Sequence, residues 1–246
     1  TETFTDTTNG ADTAAGSTIA VTGGTSVTVN SAAALGTKND NAGDVATIGA
    51  ISVAGNADTT SVTVVQTAAS ATTDAAGNKI DLANGAVTVT DLNTATKADT
   101  ITTVALHNYG NSTITGNALT NLDLKGGASI ASGTLDIAQS AGITTAGSIP
   151  TALTIDISGK VGAITDTNDQ YKTLSVVASA AATIADLDFT SATSIAASGA
   201  GVTTISAGTD IAAATTITST GAGLTVTPAL GNGVTFTGGD GKETIT

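Results

Sequence analysis

Threonine or serine alternates with small aliphatic residues in short runs along almost the whole chain, as at residues 25–30, 61–66, 86–90, 153–158, 174–178 and 224–227. A period of two fits an extended strand, whose successive side chains leave opposite faces. Val, Ile and Thr also work against helix, because branching at Cβ restricts χ1. The two Ala-rich stretches nearest to a helical composition, 32–35 and 178–182, are short and flanked by Ser, Thr and Gly. Gly, Asn and Asp punctuate the runs roughly every 20 residues, the length of one coil in many repeat architectures. The expected fold is all-β: an elongated β-solenoid, a parallel β-helix-like stack of coils of about 20 residues. Tandem Ig-like β-sandwiches are the alternative.

Composition narrows this further. Aromatic residues make up 2% of the 246, and Trp and Met are absent. Ala, Val, Ile and Thr can fill only a thin core between closely spaced sheets, which a solenoid has and a deep globular core does not. The formal charge is −13, and all seven basic residues are lysines. Nucleic acid is therefore not an expected partner, since neutralising phosphates takes Lys and Arg. An anionic membrane surface is disfavoured for the same reason, and multivalent cations are the expected counter-charge. Zero cysteines fits an exported bacterial protein. No run approaches the roughly 18 apolar residues of a membrane span, and no basic-then-apolar signal opens the chain. A chain without methionine is expected to be a processed piece of a longer protein.

The pattern divides softly. Residues 1–130 read as a less regular β-rich part with long connections at 31–43 and 67–77. Residues 131–246 read as regular coils, with first strands near 135–137, 153–157, 174–177, 193–196, 215–218 and 234–236 and shorter second strands at 161–165, 182–184, 202–206 and 224–227. In the first part, strands are expected at 17–22, 26–29, 45–53, 61–66, 86–90 and 101–106. Asn84-Gly85, between Ile80-Asp81-Leu82 and Val87-Thr88-Val89, predicts a β-hairpin.

Chemistry-bearing residues are sparse. His107 is the single histidine, and its Asn-rich surroundings read as an exposed turn, so a Ser-His-Asp triad has no good centre. Asp186 and Asp188 share a strand face and could imitate a glycosidase pair, yet only Tyr109 and Tyr171 are available beside the three Phe to line a sugar cleft. A β-helix polysaccharide lyase would need an Arg or Lys base among its acids, and no arginine is present. The expectation is a non-enzyme. Acidic groups do gather in turn-like places: Asp40 with Asp44, Asp166 with Asp169, and Asp186 with Asp188. Each pair could ligate Ca2+, which takes six to eight oxygens at about 2.3–2.6 Å; each could equally serve as turn-forming Asp.

The last nine residues, Gly238-Gly239-Asp240-Gly241-Lys242-Glu243-Thr244-Ile245-Thr246, resemble the calcium-binding nonapeptide of RTX proteins. Gly238, Asp240, Gly241 and Glu243 are the positions that resemblance marks as metal-binding. The fit departs from the pattern in two ways: Glu243 stands where Asp is preferred, and a single copy supplies half a site.

Longer segments extend the likeness. IAVTGGTSVTV at 19–29, VAGNADTTSVTVVQT at 53–67, NGAVTVTD at 84–91, ITTVAL at 101–106, LTNLDL at 119–124 and FTGGDG at 236–241 together resemble the RTX-type surface-layer (S-layer) proteins of Gram-negative bacteria. That resemblance implies an extracellular, calcium-dependent β-solenoid that self-associates into a two-dimensional lattice on the cell surface. It also implies type I secretion, with cell-surface polysaccharide contacted by other regions of a longer chain. Two other roles fit the pattern less closely: a stalk or repeat module of a large RTX adhesin, and a β-helix polysaccharide-degrading enzyme.

Overall fold

The computed structural model describes residues 2–4, 13–35, 44–73, 79–91, 99–140, 149–206, 216–227 and 233–245. Among these residues the chain is all-β, with no helix, and hence with none long and apolar enough to cross a membrane. The main sheet has 17 strands and curls on itself as two parallel ladders. One ladder contains β3 (Ile19–Thr22), β7 (Ile51–Ala54), β11 (Val87–Thr90), β13 (Ser112–Thr115) and β15 (Leu135–Ala138). It continues through the second halves of β16 (Ala152–Asp166) and β17 (Thr173–Asp188), then β19 (Thr203–Ile205), β21 (Leu224–Val226) and β23 (Thr244–Ile245). The other ladder holds β4 (Ser26–Ser31), β8 (Ser61–Gln66), β12 (Thr103–His107) and β14 (Asn121–Lys125). It passes through the first halves of β16 and β17 to β18 (Ser194–Ser198), β20 (Thr216–Ser219) and β22 (Thr235–Thr237).

The chain visits the two ladders in turn, laying each strand beside the one a circuit earlier. In the last circuits the register advances by 21, 21, 22 and 19 residues, from Ile155 to Val176, Val176 to Ala197, Ile195 to Ile217 and Ile217 to Phe236. The first circuits are longer, 35 residues from Val29 to Val64 and 42 from Val64 to Leu106. A curled parallel sheet of this kind is consistent with a β-helix-like fold, and it differs from the antiparallel sheets of an Ig-like sandwich. The ladders cross residues 130–131 without a break, through β13–β15 and β14–β16.

Extra length in the first circuits goes into a second sheet. There β2 (Thr13–Ala15), β6 (Asp44–Thr47) and β10 (Lys79–Ala83) stack in parallel, and β9 (Ser70–Thr73) joins β10 antiparallel. A two-stranded parallel pair, β1 (Glu2–Phe4) with β5 (Ala33–Leu35), stands apart. Four sequence expectations are corrected here. The connections at 31–43 and 67–77 contain β5 and β9. The single strand expected at 45–53 is two, β6 and β7, turning at Gly49. The strand near 135 belongs to the opposite ladder from those at 153 and 174. Asn84-Gly85 makes no hairpin, because β10 pairs with β6 and β9 while β11 pairs with β7 and β13.

Alternation explains which faces meet. Val27, Val62, Val104, Leu122, Ile155 and Val176 form one inward row along successive strands, and all are buried. Facing them, Val53, Val89, Ile114 and Ile137 form a row on the other ladder. Each such side chain contributes about 1.5–3 kcal/mol when fully buried. Threonine takes many of the outward positions, where β-branching still favours the strand, although Ser112 and Thr203 are buried in the inward rows.

Glycine sets how closely one circuit approaches the next at a corner. A Cβ on Gly85 would lie 2.5 Å from Gly49 O, one on Gly110 3.0 Å from Gly85 C, one on Gly133 2.2 Å from Gly110 C, and one on Gly162 2.5 Å from Gly133 O. A column of glycines thus runs up this corner, backbone against backbone. At the bend within β16, Gly159 has φ +71°, a conformation that other L-residues adopt only at a cost, and the β16–β17 register shifts there.

Candidate cation-binding sites

The terminal turn joins β22 to β23, at the corner that leads from the second ladder to the first. Glu243 folds back on it, and its Oε1 accepts the Gly239 N–H at 3.3 Å. Asp240 is exposed. The glycines are held for packing: a Cβ on Gly241 would lie 2.5 Å from Ala222 C, and one on Gly239 2.7 Å from Ser219 O. Gly238, Asp240, Gly241 and Glu243 thus share one turn, with one carboxylate directed at its own backbone and the other at solvent.

Asp166 and Asp169 lie at the opposite corner. Asp166 extends the inward row Val53–Val89–Ile114–Ile137 as its next member, so a carboxylate stands in an aliphatic column. Its Oδ2 accepts the Tyr171 N–H at 2.8 Å. Burial pushes its carboxyl above the ordinary range, the backbone amides of Tyr171, Gln170 and Asn168 pull it back down, and the charge of Asp169 adds to the rise. Asp169 takes a left-handed φ of 55°, tolerated by Asp, and pairs with the Thr190 hydroxyl. The pair organises a turn, with one carboxylate inward and the other outward. Asp186 and Asp188 lie half-buried on β17, in register with Ala163 and Thr165. Asp40 lies outside the described residues, and Asp44 contributes the first residue of β6. Among the described residues, no group of three or more His, Cys, Asp or Glu side chains is placed to hold a metal ion.

His107 ends β12 instead of sitting in a turn. Its Nε2 lies 3.1 Å from Asp123 Oδ2, which Lys125 Nζ also approaches at 3.3 Å. The three occupy neighbouring outward positions of β12 and β14, where a partly exposed ion pair contributes at most about 1 kcal/mol.

Sequence reading missed a polar knot inside the corner that follows β11 and β13. Asp91 Oδ2 accepts the N–H groups of Thr100 at 2.8 Å and Ile101 at 2.6 Å. Asp99 Oδ2 accepts the Asn117 N–H at 2.5 Å and the Ser140 hydroxyl at 2.5 Å. Asn117 Nδ2 donates to Ser140 O at 3.1 Å. Asp91, Asp99 and Asn117 are all buried. The signal in the sequence was an Asp continuing the inward alternation, Val87–Val89–Asp91, where a strand should turn. A separate cleft of about 310 Å³ lies beside β10, lined by Leu82, Asp81 and Tyr109, and burial raises the Tyr109 phenol well above its ordinary value.

Compared with known proteins, the chain matches no family model and no curated sequence.

Proposed function

We propose that this chain is a structural segment of a secreted, calcium-dependent bacterial surface layer, built as a β-solenoid and acting by self-assembly without catalysis. One observation carries the reading: parallel strands repeat in register along the main sheet, giving a repetitive surface of Thr, Ser and acidic side chains. Such a surface suits lateral association of identical copies. With a charge of −13, neighbouring copies repel one another until divalent cations bridge their carboxylates. Calcium then drives assembly by mass action, because it binds the ordered, associated state better than the separated one. The terminal turn, with Asp240 and Glu243, is the half-site that a further turn or a neighbouring copy completes. The resemblance to RTX-type surface-layer proteins supports the same reading, with the extracellular cell surface as its place of action.

The test is association of purified chain with calcium, followed by light scattering and negative-stain microscopy. Extended two-dimensional arrays are expected in calcium and dispersal in excess chelator. Magnesium is expected to substitute poorly, because it holds its waters and demands octahedral geometry. A chain that remains monomeric at every calcium concentration contradicts the proposal.

A further inference from the structure

We infer that the cleft between β10 and the Tyr109 corner binds a small apolar ammonium ion, with Asp81 as its counter-charge. Val45, Asp81 and Ala71 stand in register across β6, β10 and β9, so their side chains leave one face of the second sheet. All three line the cleft, which sets the Asp81 carboxylate between two aliphatic neighbours on its wall. The main stack adds Tyr109, Ile130 and Ala131 to the lining. That part is fixed by backbone contacts between circuits: Gly133 N–H donates to Tyr109 O at 2.6 Å, and Gly110 N–H to Gly85 O at 2.9 Å. The cleft is therefore shaped by the fold itself, as small-molecule sites usually are.

Volume, polarity and charge each narrow the ligand. At about 310 Å³ the cleft has room for about ten groups of water size, at about 30 Å³ each, enough for one aromatic ring with a short polar arm. Its lining is mainly aliphatic, and Ile130 is one of two large apolar side chains left exposed among the described residues, so an apolar ligand body covers surface that water otherwise meets. The polar groups ask for a donor and a positive charge. Asp81 is half-buried, which leaves its carboxylate within reach of a ligand. Its Oδ1 accepts no hydrogen bond among the described residues, where the ion pairs are those of Asp123 with His107 and Lys125. The Tyr109 hydroxyl also lacks a partner there, on a side chain 1% exposed. A metal ion is a poor occupant, because one carboxylate supplies too few of its ligands. An anion is repelled by Asp81. A neutral alcohol donates a hydrogen bond but leaves the charge uncompensated, whereas an ammonium supplies the donor and offsets the charge in one group.

Calorimetry of the full chain with benzylammonium tests the inference. One equivalent is expected to bind, with benzyl alcohol about tenfold weaker and benzoate not binding at all. Asp81→Asn keeps the shape of the side chain, so it should weaken benzylammonium about tenfold and leave benzyl alcohol unchanged. Ala131 is exposed on the cleft wall, so Ala131→Trp fills the cleft without entering the core. It should abolish binding of both compounds while the urea midpoint stays at the parent's value. Glu243→Ala should change nothing, since the cleft is separate from the terminal turn and does not depend on the surface-layer reading. A parent chain that fails to bind benzylammonium would overturn the inference. So would equal affinity in Asp81→Asn, which removes the counter-charge. Binding that survives Ala131→Trp would also overturn it, by assigning the ammonium to the acidic surface at large.

Discussion

Replacing Gly133 by Ala puts the stacked corner under direct stress. A methyl there would lie 2.2 Å from Gly110 C, 2.3 Å from Asn111 N and 2.5 Å from Gly110 O, all of them backbone atoms. Carbon atoms in contact sit about 3.5–4.0 Å apart, so the two circuits must separate by roughly 1 Å. Two backbone hydrogen bonds span that gap, Gly133 N to Tyr109 O at 2.6 Å and Ser112 N to Thr134 O at 2.8 Å. Stretching both beyond bonding range exposes buried groups at about 1–3 kcal/mol each. The opposing gain, a less flexible unfolded chain, is only about 0.4–1 kcal/mol. The net expectation is a loss of about 2–4 kcal/mol, seen as a lower urea midpoint by circular dichroism with an unchanged slope. Gly233→Ala is the control. Among the described residues nothing lies within 4 Å of its Cβ, and its φ of +89° leaves a conformational cost of about 1–2 kcal/mol. A Gly133→Ala protein at least as stable as the parent would refute backbone stacking at this corner.

Gln66 clamps the same column, its amide donating to Gly85 O at 2.8 Å and accepting the Gly85 N–H at 2.8 Å; Gln66→Leu should cost about 1–3 kcal/mol by orphaning that N–H, and a urea midpoint equal to the parent's would disprove the clamp. For Asp166 the folded chain holds its proton more tightly than the unfolded chain, so the proton's stabilising effect is complete below the ordinary carboxyl value and is lost as pH rises through the raised one. The parent should therefore gain stability relative to Asp166→Asn on acidification from neutral pH toward the ordinary value, and parallel pH profiles of the two urea midpoints would rule out this linkage.

Period-two alternation was enough to locate most strands. The alternation at 61–66 coincides with β8 (Ser61–Gln66), and that at 224–227 with β21 (Leu224–Val226). Alternation names the inward side chains but says nothing of the strand that lies alongside. That is why Asn84-Gly85 suggested a hairpin: the dipeptide favours a tight turn locally, yet Gly85 is needed where two circuits touch. The late circuits were legible because they are short and evenly spaced, whereas β5 and β9 were hidden in Ala-rich polar connections. Polar sites were harder still. Asp91, Asp99 and Asn117 come together only because a strand one circuit later brings Asn117 alongside, a relation fixed by register and absent from any local motif. Asp166 looked like a turn residue and is one, but its place in an aliphatic row follows only from the pairing of Ile137 with Asp166.

The parallel register is best tested by distance. Thr28, Thr63, Ala105, Asp123, Asp156, Val177 and Ser198 occupy equivalent positions on successive strands, and the chain has no native cysteine to interfere with spin labelling. Pulsed electron–electron resonance between labels at 28 and 156, and at 28 and 198, should give about 19 Å and about 29 Å, four and six steps of about 4.8 Å each. Distances that fail to lengthen with the number of register steps would contradict the stack on which the proposed assembly rests.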